Sequence, residues 1–169
     1  MAPLPVTPRI LVSGCLLGEP IRYNATAKPV LHPLLETWRA EGRLVPLCPE
    51  ILAGFSTPRP PAEIAEARTG EDVLDGFGRV CDDRGTDITD QYLLGARRAA
   101  DLAREQGCRF ALLSNRSPSC GVRLIYDGSF GGTLHEGRGV TAALLRREGL
   151  AVFTEDEVAD LALALTTVW

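Results

Sequence analysis

The 169-residue sequence predicts an α/β fold, a single compact three-layer domain in which a mainly parallel sheet carries helices on both faces. Three observations predict it. The strand candidates are short runs that are apolar throughout, as expected of strands covered on both sides. They alternate with segments whose apolar residues recur at helical spacing. No period of repeat length recurs along the chain, which sets solenoids and propellers aside. The length suits one full core and leaves no room for a second, so residues 9–169 are expected to form the domain. A loose tail is expected at residues 1–8, where Pro3, Pro5 and Pro8 oppose regular structure.

The elements follow in order. Residues 9–13 (RILVS) read as a buried strand cut off by Gly14. Within residues 28–40, Val30, Leu31, Leu34, Leu35 and Trp38 recur at helical spacing and Gly42 supplies the stop; Pro33 fits a helix whose body starts near His32. Residues 44–47 (LVPL) form a second strand that ends at Cys48. The crowded prolines and glycines of CPEILAGFSTPRPPAEI imply an ordered loop around a short helical turn at residues 50–53. Residues 62–67 and 78–81 read as extended segments, bridged by an acidic, polar stretch. Residues 89–106 give the clearest helix, with Tyr92, Leu93, Ala96, Ala99, Ala100 and Ala103 on one stripe, Asp87 or Thr89 as cap and Gly107 as stop.

A third strand at 109–113 runs at once into SNRSPSCG. Residues 122–126 add a strand, DGSFGGTLHEGRG reads as glycine-rich loop, 140–147 as helix and 151–153 as strand. Thr154 and Glu157 make a capping box for a last helix through Leu165. The sum is a Rossmann-like sheet, in which ligands bind beyond the carboxyl ends of the strands. Cys15, Cys48 and Cys120 all fall at such ends.

Composition narrows the function. With 45% apolar and 24% charged residues and a formal charge of −4, the chain has no broad cationic field for nucleic acid, and a small-molecule partner is favoured. No run of apolar residues is long enough to span a membrane, and the N-terminus lacks the pattern of a signal peptide, so a cytoplasmic location is expected. In that reducing compartment the five cysteines read as thiols or metal ligands before disulfides. Cys81 and Cys108 sit in or beside apolar runs, where a cysteine behaves as a small hydrophobe. By spacing alone, Cys15, Cys48 and Cys120 are compatible with an iron–sulfur cluster, with zinc, or with ordinary or catalytic thiols. No CxxC pair is present, and neither GxGxxG after the first strand nor GK[ST] supports a phosphate loop.

The stretches SGCLLGEPIRYN, VPLCPEILAGFSTPRPPAEI, LSNRSPSCG and IYDGSFGGTLHEGRGVTAALLRREGL resemble the bacterial DUF523 family, which includes the thiouracil desulfidases. The resemblance runs from about residue 10 to residue 157. It implies that Cys15, Cys48 and Cys120 hold a [4Fe-4S] cluster with one iron left open, and that iron–sulfur assembly machinery loads it. It also implies that Glu50, of the CPE motif, activates water and that Ser117 assists, with Ser119 second. The family often carries lysine near position 114, where this chain has Ser114 and Asn115.

The chemistry agrees with that assignment. Replacing C=S by C=O on a heterocycle consumes water and expels sulfide with no net electron transfer, so a soft Lewis acid and a general base suffice. Arg22 and Tyr23 are candidates to meet the ring or an anion, as are Arg59, which could instead pair with Glu63, and Ser119. Asp127 fits a residue that closes a turn through its own backbone. The expected activity is therefore cluster-dependent hydrolytic desulfuration of a thiolated nucleobase or related heterocycle. Other sulfur transfer at the same cluster and a non-catalytic, metal-stabilised binding module are the alternatives.

Overall fold

The computed structural model describes residues 8–167. The expected tail, apart from Pro8, and Trp169 lie outside the described residues. Four parallel strands, β1 (Arg9–Ser13), β2 (Leu44–Leu47), β5 (Cys108–Leu113) and β8 (Ala151–Thr154), form the sheet in the order β2-β1-β5-β8. Two antiparallel pairs lie outside it: β3 (Ala62–Ile64) with β4 (Val80–Asp82), and β6 (Leu124–Tyr126) with β7 (Leu134–Glu136). The helices are α1 (Pro33–Ala40), α2 (Pro49–Leu52), α3 (Gly70–Leu74), α4 (Thr89–Glu105), α5 (Val140–Arg147) and α6 (Val158–Leu165).

Alternation along the strands sorts the core into two layers. Ile10 and Val12 of β1 and Phe110 and Leu112 of β5 meet Leu35 and Trp38 of α1 and Val158 and Leu161 of α6. Leu11, Ala111 and Leu113 face the other way, toward Ala99, Ala100 and Ala103 of α4 and Ala142 and Leu145 of α5. Helices therefore cover both faces. A third cluster, with Ile64, Val73, Val80, Tyr92 and Ile125, ties the two antiparallel pairs to α4. The chain leaves β1 in one direction toward β2 and returns on its other side at β5. That reversal opens a crevice beyond the carboxyl ends of β1 and β5.

Several expected elements moved. The helix expected over 28–40 begins at Pro33, because a residue before proline is pushed out of the α region. His32 caps it instead, its Nδ1 accepting the Leu34 N–H at 3.1 Å, and Leu31 is left 95% exposed. The acidic stretch after residue 68 is helix α3, started by a capping box in which Thr69 Oγ1 accepts from Asp72 N at 3.3 Å and Asp72 Oδ2 from Thr69 N at 3.0 Å. At α4 the cap position is Ile88, while Asp87 Oδ1 accepts the Thr89 N–H at 2.9 Å. The glycine-rich stretch expected as loop contains β7, whose partner strand β6 lies ten residues upstream and supplies the pairing that local composition does not announce.

Candidate active site

Each of the three rim cysteines is positioned by a different strand end. Cys15 lies in a single turn of 3₁₀ helix (Gly14–Leu17) that follows β1, and its carbonyl accepts the Lys28 N–H at 2.9 Å. Cys48 ends β2 as the N-cap of α2, with Pro49 at the first helical position. Gly95 of α4 lets α2 settle close, since a Cβ there would stand 2.5 Å from the Pro49 carbonyl oxygen. Cys120 closes the SPSC turn after β5, where Ser117 Oγ accepts both the Ser119 N–H at 3.1 Å and the Cys120 N–H at 3.2 Å. Gly139 packs against that turn at similarly short range, a Cβ there meeting the Ser119 carbonyl carbon at 2.5 Å.

The three thiols line one cavity of about 500 Å³. None is in a disulfide. Burial pushes the Cys15 thiol up, partly offset by a hydrogen bond with Ser114 and the charge of Arg22. Burial and then the Glu50 carboxylate push Cys48 up to about 12. Cys120 is driven well above the ordinary thiol range by burial first and Glu50 second. Burial thus favours the protonated thiols, and a cation held between them would draw those protons off. Among the described residues, no three His, Cys, Asp or Glu side chains close on one point as a single ion requires. The remaining cysteines stay apart: Cys108 is packed in the core, and Cys81 is half-buried on β4.

Glu50, in the first turn of α2, is only 9% exposed and fully engaged. Its Oε1 accepts the Ser119 hydroxyl at 2.7 Å, and its Oε2 accepts the Cys48 thiol and Arg59 Nη2, each at 3.2 Å. Arg59 supplies the charge that makes a carboxylate tolerable here. Its terminal nitrogens also donate to the carbonyls of Ile21 and Ser56 and to Thr57 Oγ1 at 3.1, 3.4 and 3.2 Å. The expected pairing with Glu63 does not form; the ion pair is with Glu50. Glu63 instead accepts the backbone N–H groups of Gly128 and Phe130.

The two serines divide the space between them. Ser117 lines the cavity, while Ser119 is 1% exposed and stands behind Glu50. Their hydroxyls are 3.1 Å apart, giving the chain Ser117, Ser119, Glu50. Ser119 therefore reaches the carboxylate rather than the cavity interior. Arg22 and Tyr23 both line the cavity; Tyr23 is 41% exposed, and the contact of the Arg22 side chain is to Thr26 Oγ1 at 3.5 Å. Asp127 closes its turn as expected, Oδ1 accepting the Ser129 N–H at 3.0 Å.

Among the lining residues that sequence reasoning did not place at the site are Lys28, Tyr92 and Phe130, and Glu63 entered it only as a partner for Arg59. Lys28 carried a signal, being the single lysine among the 18 lysines and arginines. Its ammonium pairs with Glu155, whose Oε2 also accepts the Asn115 N–H at 2.7 Å. Burial of Glu155 opposes ionisation, yet the Lys28 and Asn115 hydrogen bonds hold its carboxyl below the usual range. Tyr92 gave no signal, because its place on the α4 stripe reads as core; burial, then Glu50, raise its hydroxyl well above the ordinary value and keep it a neutral donor.

Comparison with known proteins gives consistent results. A family model described as 2-thiouracil desulfurase matches residues 10–157. A protein of Bacillus subtilis (strain 168), YbbK, described as uncharacterized, is 44% identical over 154 residues, covering 90% of this chain and 99% of its own length. Among solved structures, the [4Fe-4S]-dependent thiouracil desulfidase TudS, whose description carries the DUF523 label, superposes with a TM-score of 0.86 at 46% identity. That match covers 95% of this chain and 99% of the other.

Proposed function

The chain belongs to the 2-thiouracil desulfurase family, the DUF523 family, and from that premise we propose that it removes sulfur hydrolytically from a thiolated nucleobase or related heterocycle, as in thiouracil and water to uracil and hydrogen sulfide. The observation that carries the reading is the near-full-length likeness to a [4Fe-4S]-dependent thiouracil desulfidase in a chain whose Cys15, Cys48, Cys120 and Glu50 line one cavity. The donor set fits the cofactor. Three cysteine thiols, brought from three strand ends to one cavity, are the soft donor set that an iron–sulfur cluster takes. When bound, such a cluster supplies a soft Lewis acid that holds sulfur.

The chain's own residues supply the remainder. Glu50 takes a proton from the attacking water. Its Oε2 gains room for that water when Cys48 gives up, on ligation, the thiol proton it donates there. A Cys48 thiolate beside a carboxylate is repulsive, and Arg59 at 3.2 Å from the same Oε2 offsets it. Ser119, donating to Oε1, fixes the plane of the carboxylate, and Ser117 is the hydroxyl on the cavity side that can meet substrate or water. Arg22 and Tyr23 border the entrance, where a guanidinium and a flat ring suit a small heterocycle. Iron–sulfur assembly machinery is the implied partner. No helix among the described residues is long and apolar enough to cross a membrane.

The test is anaerobic reconstitution with iron and acid-labile sulfide quantitation, and a sulfide-release assay on 2- and 4-thiouracil. About four irons and four sulfides per chain are expected. Hydrogen sulfide release should fall at least about a hundredfold in Glu50→Gln with cluster content retained, the general-base contribution. A full cluster with no release from any thiopyrimidine would refute the substrate class. Zinc or no metal under anaerobic conditions would refute the cofactor.

A further inference from the structure

The turn between β6 and β7 breaks a local rule. It reads DGSFGG, with glycine at 128, 131 and 132, yet one of its left-handed positions, φ +57°, is occupied by Phe130. A bulky residue is disfavoured there, and glycine would hold the same backbone without strain. The ring is not in the core: Phe130 is 38% exposed, and it lines the same cavity as the three cysteines.

A second, independent observation concerns Glu63, at the middle of β3. It is 8% exposed, and one of its carboxylate oxygens accepts the N–H groups of both Gly128 and Phe130, at 3.0 and 3.1 Å. Burying a carboxylate is costly, and this one is committed to the backbone of a single turn. Gly128 lets the turn come that close, since a Cβ there would stand 2.5 Å from the Ile64 carbonyl oxygen. The turn is thus pinned at the residue whose side chain faces the cavity.

We infer that Phe130 is the aromatic wall against which the planar substrate ring lies, and that Glu63 is the positioning residue that fixes it there. The inference rests on the proposed substrate class, because a flat, electron-poor heterocycle is what an aromatic face in a partly dry cavity binds best. It gives a role to the GSFGG stretch, and it makes ring planarity a determinant of specificity alongside the thiocarbonyl.

The test uses anaerobically reconstituted holoenzyme of wild type, Phe130→Gly, Phe130→Trp, Glu63→Ala and Glu63→Gln. Three quantities are read: KM and kcat for 4-thiouracil, the Kd of the product uracil by equilibrium dialysis, and Tm. Phe130→Gly, which relieves the left-handed backbone, is expected to keep or raise Tm. It should raise KM and the uracil Kd about tenfold, the scale of one base–aromatic stack, with kcat changing far less. Phe130→Trp should keep KM and Kd near wild type. Glu63→Ala should raise both, and Glu63→Gln, which retains an acceptor oxygen, should restore them. Unchanged KM and Kd in Phe130→Gly, or losses that follow a falling Tm, would overturn the inference. A wild type that binds uracil but releases no sulfide would refute the desulfidase reading and leave dialysis to decide Phe130; a wild type that binds no pyrimidine would overturn both.

Discussion

The two faces of the parallel sheet are packed by different means. Against α1 and α6 the sheet uses bulk, with Leu35, Trp38, Phe110, Leu112 and Leu161 interlocked. Against α4 and α5 small residues enter the contact, with Ala99, Ala100, Ala103, Ala111 and Ala142 set beside Leu11, Leu113 and Leu145. Bulk buries more apolar area per residue and so carries more of the stability. Small residues let backbones approach, and it is on this side that α2 rests on Gly95 and the SPSC turn rests on Gly139. The small-residue face thus seats α2 and the SPSC turn by close approach, while Cys15 is seated within the bulky face.

The largest expected effect tests the bulky face. Trp38→Ala should cost about 3–5 kcal/mol of unfolding free energy. Sulfide release per folded molecule should stay near wild type, because Trp38 is 4% exposed and does not line the cavity. Chemical denaturation beside an activity assay checks both, and a selective loss of activity would break the comparison.

Next comes the small-residue face. Gly95→Ala places a Cβ 2.5 Å from the Pro49 carbonyl and must displace α2, which carries Glu50 between Cys48 and Arg59. A stability loss of about 1–3 kcal/mol is expected. A misplacement of this kind at a reacting group can lower kcat about a hundredfold. Equal, small losses in stability and activity would show that the close approach does not set the geometry.

A smaller effect sharpens the role of burial on the same face. Cys108, in the α4–α5 layer, has its thiol raised from 9.0 to about 11 by burial, against a weaker opposing pull from Arg9. Because the folded value is the higher one, the unfolded chain releases its proton first. This group's contribution is therefore fully present below about pH 9 and is lost as pH rises toward 11. Melting temperature followed over that range should fall, and the part due to Cys108 should be absent in Cys108→Val. The smallest effect lies outside both layers. Arg147 pairs with Asp75 at 2.8 and 2.9 Å on the open surface, and Arg147→Ala should leave Tm nearly unchanged, most of all at high salt.

The sheet strands, α4, α5 and α6 were legible in the sequence because each announces itself by local periodicity and by its own stop or cap. The convergence of Cys15, Cys48 and Cys120 was legible too, since each follows a strand and parallel strands present their carboxyl ends on one rim. The β7 strand and α3 were not, for glycine-rich and acidic composition describes a loop until a distant partner or a cap is in view. Arg59 illustrates the limit best: Glu63 lies four residues away along the chain, yet the guanidinium turns to Glu50.

By itself, then, the sequence determined the layered α/β class and the order of its elements, because those follow from short-range backbone preference and burial pattern. Only the tertiary structure decided that Ser119 stands behind Glu50 while Ser117 faces the cavity, that the lone lysine reaches Glu155, and that Glu63 pins the turn bearing Phe130. Those are pairings between side chains or turns far apart in sequence or set by local twist, and their choice of partner is fixed by which loops the sheet brings together rather than by any preference a residue carries alone.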